Sequence, residues 1–161
     1  MNDSPDALRA LGLLVLGSRL RRLGERLQAD TQVLLDGLEP RVAAGCHPLL
    51  NLLDEAGAQS VGQISAALGV SQPGVTRNLA SLSKLGVIAI TPAPEDARVR
   101  QVALTARGSA LVAEARAGAW QRVAAAMEEL CQGFGPELLD QLAQMEDRLA
   151  DRPLSQRGET R

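Results

Sequence analysis

Aromatic side chains are almost absent from this chain: Trp120 and Phe134 are its only Trp and Phe, and it has no Tyr. Apolar residues nevertheless make up 45% of the 161 residues, so the chain can bury a substantial core and is not predicted to be disordered. That core must consist largely of Leu, Ala and Val. The length suits one domain, or one domain with an added oligomerisation element.

The sequence also lacks the features of membrane proteins, disulfide-rich secreted proteins and metal proteins. No apolar run approaches the roughly 18–20 residues that a membrane span needs. The chain begins with an acidic segment, Met1 to Ser4, where a secretory signal would be basic. Cys46 and Cys131 lie far apart, and His47 is the only histidine. We therefore expect a cytoplasmic protein without a membrane span, a metal site or a cofactor.

Motifs that are typical of enzymes are missing as well. There is no phosphate-binding Walker loop, no His-Glu-x-x-His zinc motif and no nucleophile elbow. The glycines on either side of Phe134 follow no predicted strand, so they indicate a break between helices. The sequence therefore predicts no catalytic residues.

Both ends of the chain have apolar residues at helical spacing. From Leu8 to Leu38, leucines recur mostly at steps of three and four, which predicts one long helix with an apolar stripe. A second helical region begins at Thr105 and breaks near Gly133, and a last helix follows it. One small domain could not cover these stripes, so they predict a two-fold homodimer with interlocked arms.

Between these arms, the sequence has the signals of a helix-turn-helix. A Ser-x-x-Gln capping box at Ser60 begins one helix, and Gly69 suits the left-handed position at its end. Ser71 caps the next helix, which is predicted over residues 72–85 and ends at Gly86. A β-hairpin is predicted directly after this second helix. Its strands cover residues 87–90 and 99–104, and its turn covers residues 92–97.

Taken together, these motifs resemble the winged helix of the MarR family of bacterial transcriptional regulators. The resemblance rests on the Asp-x-Arg pattern of Asp96 and Arg98 and on two longer runs. These runs are Leu68-Gly69-Val70-Ser71-Gln72-Pro73-Gly74-Val75-Thr76-Arg77 and Leu104-Thr105-Ala106-Arg107-Gly108. The resemblance covers residues 48–110 at the level of motifs and the rest of the chain in architecture only.

The resemblance implies a mainly α-helical fold with a small β-hairpin wing, in which dimerisation helices flank a winged helix-turn-helix lobe. The N-terminal dimerisation helix would cover residues 1–40 and the DNA-binding lobe residues 41–104. The C-terminal dimerisation helices would cover residues 105–152, and a flexible tail would cover residues 153–161.

The function that the resemblance implies is sequence-specific regulation of transcription. Members of this kind are homodimers that bind a pseudo-palindromic operator on double-stranded DNA, typically as repressors released by a small-molecule effector. An alternative is a winged helix that contacts another protein and has no autonomous DNA binding.

The predicted recognition helix, residues 72–85, has the polar surface that major-groove recognition requires. Gln72 suits bidentate contact with adenine, and Thr76 can meet a base with its hydroxyl or its methyl group. Arg77 suits either a guanine or a phosphate, and the sequence leaves this choice open. The predicted DNA-binding residues are Ser71, Gln72, Gly74, Thr76, Arg77, Asn78, Ser81, Lys84, Arg98 and Arg100.

In the wing, the resemblance implies that Asp96 supports the turn and orients Arg98 toward the minor groove. A narrow A·T-rich minor groove has an enhanced negative potential that attracts arginine. The alternative interpretation is that Asp96 and Arg98 form only a turn-stabilising ion pair. Ala97 occupies a position where the family often has a basic residue, which predicts that this wing binds DNA less strongly than is typical.

The distribution of charge agrees with a DNA-binding lobe. The chain has a net charge of only −2, whereas dedicated nucleic-acid binders are usually basic. Residues 71–107 nevertheless contain five Lys or Arg and two Asp or Glu, which gives this segment a net charge of +3. Positive charge is therefore concentrated where the motifs place DNA. Within this segment, Lys84 and Arg100 suit either a phosphate contact or a plain surface charge. Arg107 is interpreted as a surface or helix-terminus charge rather than a DNA contact.

Cys46 and His47 allow two interpretations. They precede a helix that, in MarR-like proteins, helps to wall a ligand pocket, and a thiol beside an imidazole can act as a redox switch. The simpler alternative is a buried thiol next to a histidine at a helix entry. Trp120 is likewise either a filler of the dimer core or a surface on which a ligand packs.

Overall fold

The computed structural model describes residues 6–93, 96 and 98–158. Its described residues form eight α-helices and a three-stranded antiparallel sheet, which confirms the predicted mainly α-helical fold with a β-hairpin wing. One compact unit ends at Val123 and a second begins at Ala124. The functional division into dimerisation arms and a DNA-binding lobe stays a prediction.

The N-terminal helical region is interrupted, so the prediction of one long helix from this region is wrong. Helix α1 covers Ala7–Ala10, a 3-10 turn covers Gly12–Val15, and α2 covers Leu16–Leu35. Gly12 has a φ of +57°, which lies in the left-handed region and cannot continue a right-handed helix.

An ion pair across the interruption fixes α1 against α2. The carboxylate of Asp6 caps α1 by accepting a hydrogen bond from the backbone N–H of Leu8. The same carboxylate accepts two hydrogen bonds, of 3.1 and 2.8 Å, from the guanidinium of Arg22 in α2. This two-point contact lowers the pKa of Asp6, chiefly through the hydrogen bonds from Arg22.

Helices α3, α4 and α5 cover His47–Ala56, Val61–Leu68 and Gln72–Lys84, and the last two form the helix-turn-helix. A 3-10 turn over Ala44–Cys46 leads into α3. The capping box at Ser60 is present. The left-handed glycine that ends α4 and the serine that caps α5 are confirmed in the same way.

The sheet has the strand order β1-β3-β2 and is antiparallel throughout. Strands β2, Ile88–Pro92, and β3, Arg100–Leu104, form the predicted hairpin, with Ile90 opposite Val102. Strand β1, Gln59–Ser60, pairs with the other edge of β3 and was not predicted. It connects the wing to the residues that begin α4.

A core of aliphatic side chains holds α5 in place. Val75, Leu79 and Leu82 lie on its inner face and are at most 3% exposed. They belong to one buried cluster with residues from α3, α4, the sheet, the position before β2 and the helix that follows the sheet: Leu49, Leu50, Leu53, Ile64, Val87, Ile88, Val102, Leu111 and Val112. Burying an aliphatic side chain of this size stabilises the folded state by about 1.5–3 kcal/mol. The three buried residues therefore fix the rotation of α5 about its axis, and its opposite face stays exposed.

The helical region after the wing begins where the sequence predicts. Thr105 caps α6, Ala106–Glu114, through the backbone N–H of Gly108. A π-helical turn, Ala115–Ala119, follows, and then α7, Trp120–Leu130.

In the second unit, α8 covers Leu138–Asp151, and a 3-10 turn covers Leu154–Gln156. None of the helices in the described ranges combines the length and the hydrophobicity that a membrane span requires.

Candidate nucleic-acid interface

The outer face of α5 carries the predicted contact residues of the recognition helix. Five of the polar residues predicted to contact DNA are exposed in this helix: Gln72, Thr76, Arg77, Ser81 and Lys84. Asn78 and Gly74 are half-buried, and the exposed Ser71 caps the helix by accepting from the N–H of Gly74 at 3.4 Å. The helix therefore combines a buried aliphatic face with a polar face that begins at its N-terminus.

The hydroxyl of Thr76 is engaged within the helix. Its Oγ1 donates a hydrogen bond of 2.9 Å to the backbone carbonyl of Gln72. The hydroxyl proton is therefore used, whereas the oxygen can still accept a hydrogen bond and the methyl group can still contact a thymine. Of the two ways in which Thr76 was predicted to meet a base, the structure favours the methyl contact.

The turn of the wing is held by Asp96. Its carboxylate accepts a hydrogen bond of 2.9 Å from the backbone N–H of Arg98, and its carbonyl accepts one of 2.9 Å from the backbone N–H of Val99. Both bonds fix the main chain, so the guanidinium of Arg98 is not needed for the turn. Ala97, whose departure from the family pattern predicts a weaker grip, lies outside the described residues.

Cationic side chains of the lobe are available to bind anions. Arg98 and Arg100 are exposed on the wing, as Arg77 and Lys84 are on α5. Within the part of the chain that the structure describes, none of these four forms an ion pair. Ion pairs are instead found in the arms and around α3, for example between Arg116 and Asp54 at 2.9 Å.

A second candidate site is a cavity of about 360 Å³ in the first unit. Helix α2, the entry of α3 and the start of α7 supply its walls. Its lining residues are Gln28, Thr31, Leu35, Ala44, His47, Pro48, Asn51, Trp120 and Val123. Sequence reasoning identified only His47 and Trp120 here, because the others are separated along the chain and follow no motif.

His47 and Trp120 contact each other directly at this cavity. The indole Nε1–H of Trp120 donates a hydrogen bond of 3.0 Å to Nδ1 of His47, and the ring centroids lie 5.9 Å apart in an edge-to-face arrangement. His47 is only 6% exposed. Burial lowers its pKa, and a hydrogen bond with the backbone of Val42 opposes this shift in part. The histidine is therefore a neutral acceptor.

Cys46 lies beside this pair in sequence but is not part of the cavity wall. Its side chain is 5% exposed, and burial raises the pKa of its thiol. A raised pKa makes the thiolate scarce at neutral pH, which opposes the redox interpretation of Cys46. The structure supports the alternative of a buried, unreactive thiol.

The cavity wall contains no Lys, Arg, Asp or Glu. A cation lies close to this wall: the guanidinium of Arg116 is 5.9 Å from the ring centre of Trp120. That guanidinium is already paired with Asp54 and donates a hydrogen bond of 3.0 Å to Asn51. A search of the described residues found no group of three or more His, Cys, Asp or Glu that could hold a metal ion.

Comparison with known proteins links this lobe to one family. A sequence model described as MarR family matches residues 36–99, which confirms the resemblance seen in the motifs. A search of curated proteins found no significant match to the chain.

Several solved structures share the fold. BpsR of Bordetella bronchiseptica, whose DNA binding is regulated by 6-hydroxynicotinic acid, has a TM-score of 0.65 and 24% identity over 84% of this chain and 93% of its own. The repressor CouR, bound to a 23-mer DNA duplex, has a TM-score of 0.61 and 25% identity over 84% and 92%. A cysteine mutant of MarR from E. coli, complexed with operator DNA, has a TM-score of 0.60 and 21% identity over 85% and 97%.

Proposed function

We propose that this chain, which has the helix-turn-helix sequence and the regulator fold of the MarR family, binds specific duplex DNA as a homodimer and regulates transcription. The observation that carries the proposal is the exposure of polar and cationic side chains on both α5 and the wing. Both present exposed cations without an ion-pair partner among the described residues. The buried core holds α5 in place through Val75, Leu79 and Leu82. Such cations can neutralise phosphates, while Gln72 and Thr76 can read base edges.

Uncovered apolar faces support a dimer. In the first unit, Leu13 and Leu14 are each 84% exposed, and Leu23 of α2 is 52% exposed. In the second unit, α8 exposes an apolar stripe that comprises Leu139, Leu142, Met145 and Leu149. Large exposed apolar faces are unfavourable in water, and a second copy of the chain offers the same surfaces for burial in a two-fold interface.

The cavity beside Trp120 supports control by a small molecule. Its volume suits a compact ligand, and its wall offers an indole together with the polar, uncharged side chains of Gln28 and Asn51. Because no charged side chain lines it, we propose an uncharged, flat effector. BpsR, whose DNA binding a small molecule regulates, is a precedent for such control in this fold. The effector would act by favouring one spacing of the two DNA-binding lobes over another.

The alternative is a winged helix that binds another protein. The net charge of −2 and the absence of a basic side chain at Ala97 are the observations that favour it. Neither interpretation involves catalysis, since the sequence has no catalytic motif.

Selection from a library of random duplexes tests DNA binding without knowledge of the operator. We expect an enriched inverted repeat whose half-sites lie about one helical turn apart, and affinity for it that is lost in Arg77→Ala. Enrichment of no sequence by the wild-type protein would favour the protein-binding alternative.

The fluorescence of Trp120 tests the effector proposal, because this is the only tryptophan in the chain. Benzamide and benzoate have nearly the same shape and differ in charge, so they form a matched pair of probes. We expect benzamide to change the emission at concentrations where benzoate does not. A stronger response to benzoate would contradict an uncharged effector.

A further inference from the structure

The three consecutive residues that follow the recognition helix α5 accept hydrogen bonds at their carbonyl groups from the start of α6. The guanidinium Nη1 of Arg107 donates to the carbonyl of Leu85 at 3.1 Å. The hydroxyl of Thr105 donates to the carbonyl of Gly86 at 2.7 Å. The backbone N–H of Thr105 donates to the carbonyl of Val87 at 3.1 Å. The start of α6 therefore forms a hydrogen bond with each of the three residues that follow α5.

Gly108 completes this contact because it has no side chain. A Cβ at this position would lie 2.0 Å from the carbonyl oxygen of Val87 and 3.2 Å from Leu104 Cδ2. Gly108 is buried. Only glycine lets the first turn of α6 approach the main chain this closely.

One of the three carbonyls, that of Leu85, belongs to the end of α5. The last carbonyls of an α-helix have no intrahelical donor, and they carry the negative end of its dipole. Leu85 is the C-terminal cap of α5, so the guanidinium of Arg107 meets this end directly. Arg107 is thus engaged with the protein's own backbone, although it belongs to the most basic segment of the sequence.

We propose that Thr105, Arg107 and Gly108 form a clamp that fixes the angle at which α5 is presented to DNA. They are positioning residues, and none of them contacts DNA. This inference rests on the proposed DNA binding of α5. Under this proposal, Arg107 has a different role from the other cations of the lobe. Its removal changes the orientation of the recognition helix and removes no phosphate contact.

The matched variants Arg107→Met and Arg100→Met test this distinction. Each keeps an unbranched side chain and removes a guanidinium, at the clamp in one case and on the exposed wing in the other. We expect Arg107→Met to weaken binding to the selected duplex about tenfold, as for the loss of a charged hydrogen bond. Its affinity for a shuffled duplex and the salt dependence of its binding should stay those of the wild type.

Arg100→Met should instead weaken binding to both duplexes. It should also reduce the slope of log K against log salt concentration by about one for each protomer bound. A reduced slope in Arg107→Met would show that Arg107 contacts a phosphate and would overturn the clamp. Unchanged affinity of Arg107→Met for both duplexes would overturn it as well.

Hydrogen exchange without DNA gives a readout that does not depend on the proposed function. The amides of Leu85 and Val87 donate to carbonyls within α5, at 3.2 and 3.3 Å, so they report on the end of this helix. We expect these amides to exchange faster in Arg107→Met than in the wild type, and Arg107→Lys to restore part of the protection through its single charged donor. Equal exchange in wild type and Arg107→Met would exclude the clamp even if no duplex bound.

Discussion

The indole of Trp120 donates its hydrogen bond to Nδ1 of His47, so the contact between these two rings exists only while that nitrogen carries no proton. Protonation of His47 would place two N–H groups face to face. The same ring is buried, which already disfavours the charged form and lowers its pKa. The protonation state of His47 therefore determines whether this hydrogen bond between α3 and the start of α7 is present.

The stability of the protein should fall as the pH is lowered through the ordinary pKa of histidine, 6.5. Below that value the unfolded chain binds a proton that folded His47 rejects, so protonation favours unfolding. One such proton changes the free energy of unfolding by at most about 1.4 kcal/mol per pH unit. Urea unfolding at pH 7.5, 6.5 and 5.5 measures this dependence.

His47→Asn is the control for this pH dependence, because its amide oxygen can accept the hydrogen bond of Trp120 and does not titrate. The variant should show a flatter change between pH 7.5 and 5.5 than the wild type. Parallel pH profiles of the wild type and His47→Asn would mean that His47 has the same pKa in the folded and the unfolded chain.

Only one of the two cysteines should react in the folded protein. Cys131 is exposed, whereas Cys46 is buried and its thiol has a raised pKa. Ellman's reagent at pH 7.5 should therefore label Cys131 quickly and Cys46 only after denaturation. The variant Cys131→Ser should lose its fast reaction, and fast labelling of that variant would restore the redox interpretation of Cys46.

Replacement of Asp96 separates its charge from its hydrogen bond. Asp96→Ala removes a negative charge from the proposed DNA-binding surface, which by itself would strengthen binding, but it also removes the acceptor of the Arg98 N–H. We expect the second effect to dominate and binding to weaken. Asp96→Asn keeps an acceptor oxygen and loses the charge, so it should bind DNA at least as tightly as the wild type. Anisotropy on the selected duplex measures both, and stronger binding by Asp96→Ala would show that the turn needs no support.

Gly74 and Val70 should be coupled in stability. Alanine in a helix is favoured over glycine by about 1 kcal/mol, yet a Cβ at Gly74 would lie 2.9 Å from Val70 Cγ1. In a Val70→Ala background, we expect Gly74→Ala to increase the free energy of unfolding by about 1 kcal/mol. In the wild-type background, the increase should be smaller. Equal effects of Gly74→Ala in the two backgrounds would mean that Val70 moves away without strain.

The elements that were predicted correctly are specified by residues close together in sequence. Ser60 and Gln63 are three positions apart, and their mutual capping begins α4 wherever the rest of the chain lies. Ser71 and Thr105 act in the same local way on α5 and α6. The periodicity of α5 likewise predicts which of its faces is buried and which is polar.

What the sequence did not reveal depends on contacts between distant residues. The break at Gly12 accompanies an ion pair that spans 16 positions, from Asp6 to Arg22. The hydrogen bond between Trp120 and His47 spans 73 positions. No periodicity or short motif encodes such pairs, so the cavity and the bent N-terminal region could not be derived.

The salt dependence of binding to the selected duplex tests the central claim most directly. Arg77, Lys84, Arg98 and Arg100, which form no ion pair with the residues that the structure describes, would meet phosphates. The affinity should therefore fall by orders of magnitude between 50 and 200 mM salt, because each neutralised phosphate contributes roughly 0.9 to the slope of log K against log salt concentration. Arg98→Ala should reduce that slope by about one for each protomer. An affinity that is independent of salt, in the wild type and in this variant alike, would contradict DNA binding through α5 and the wing.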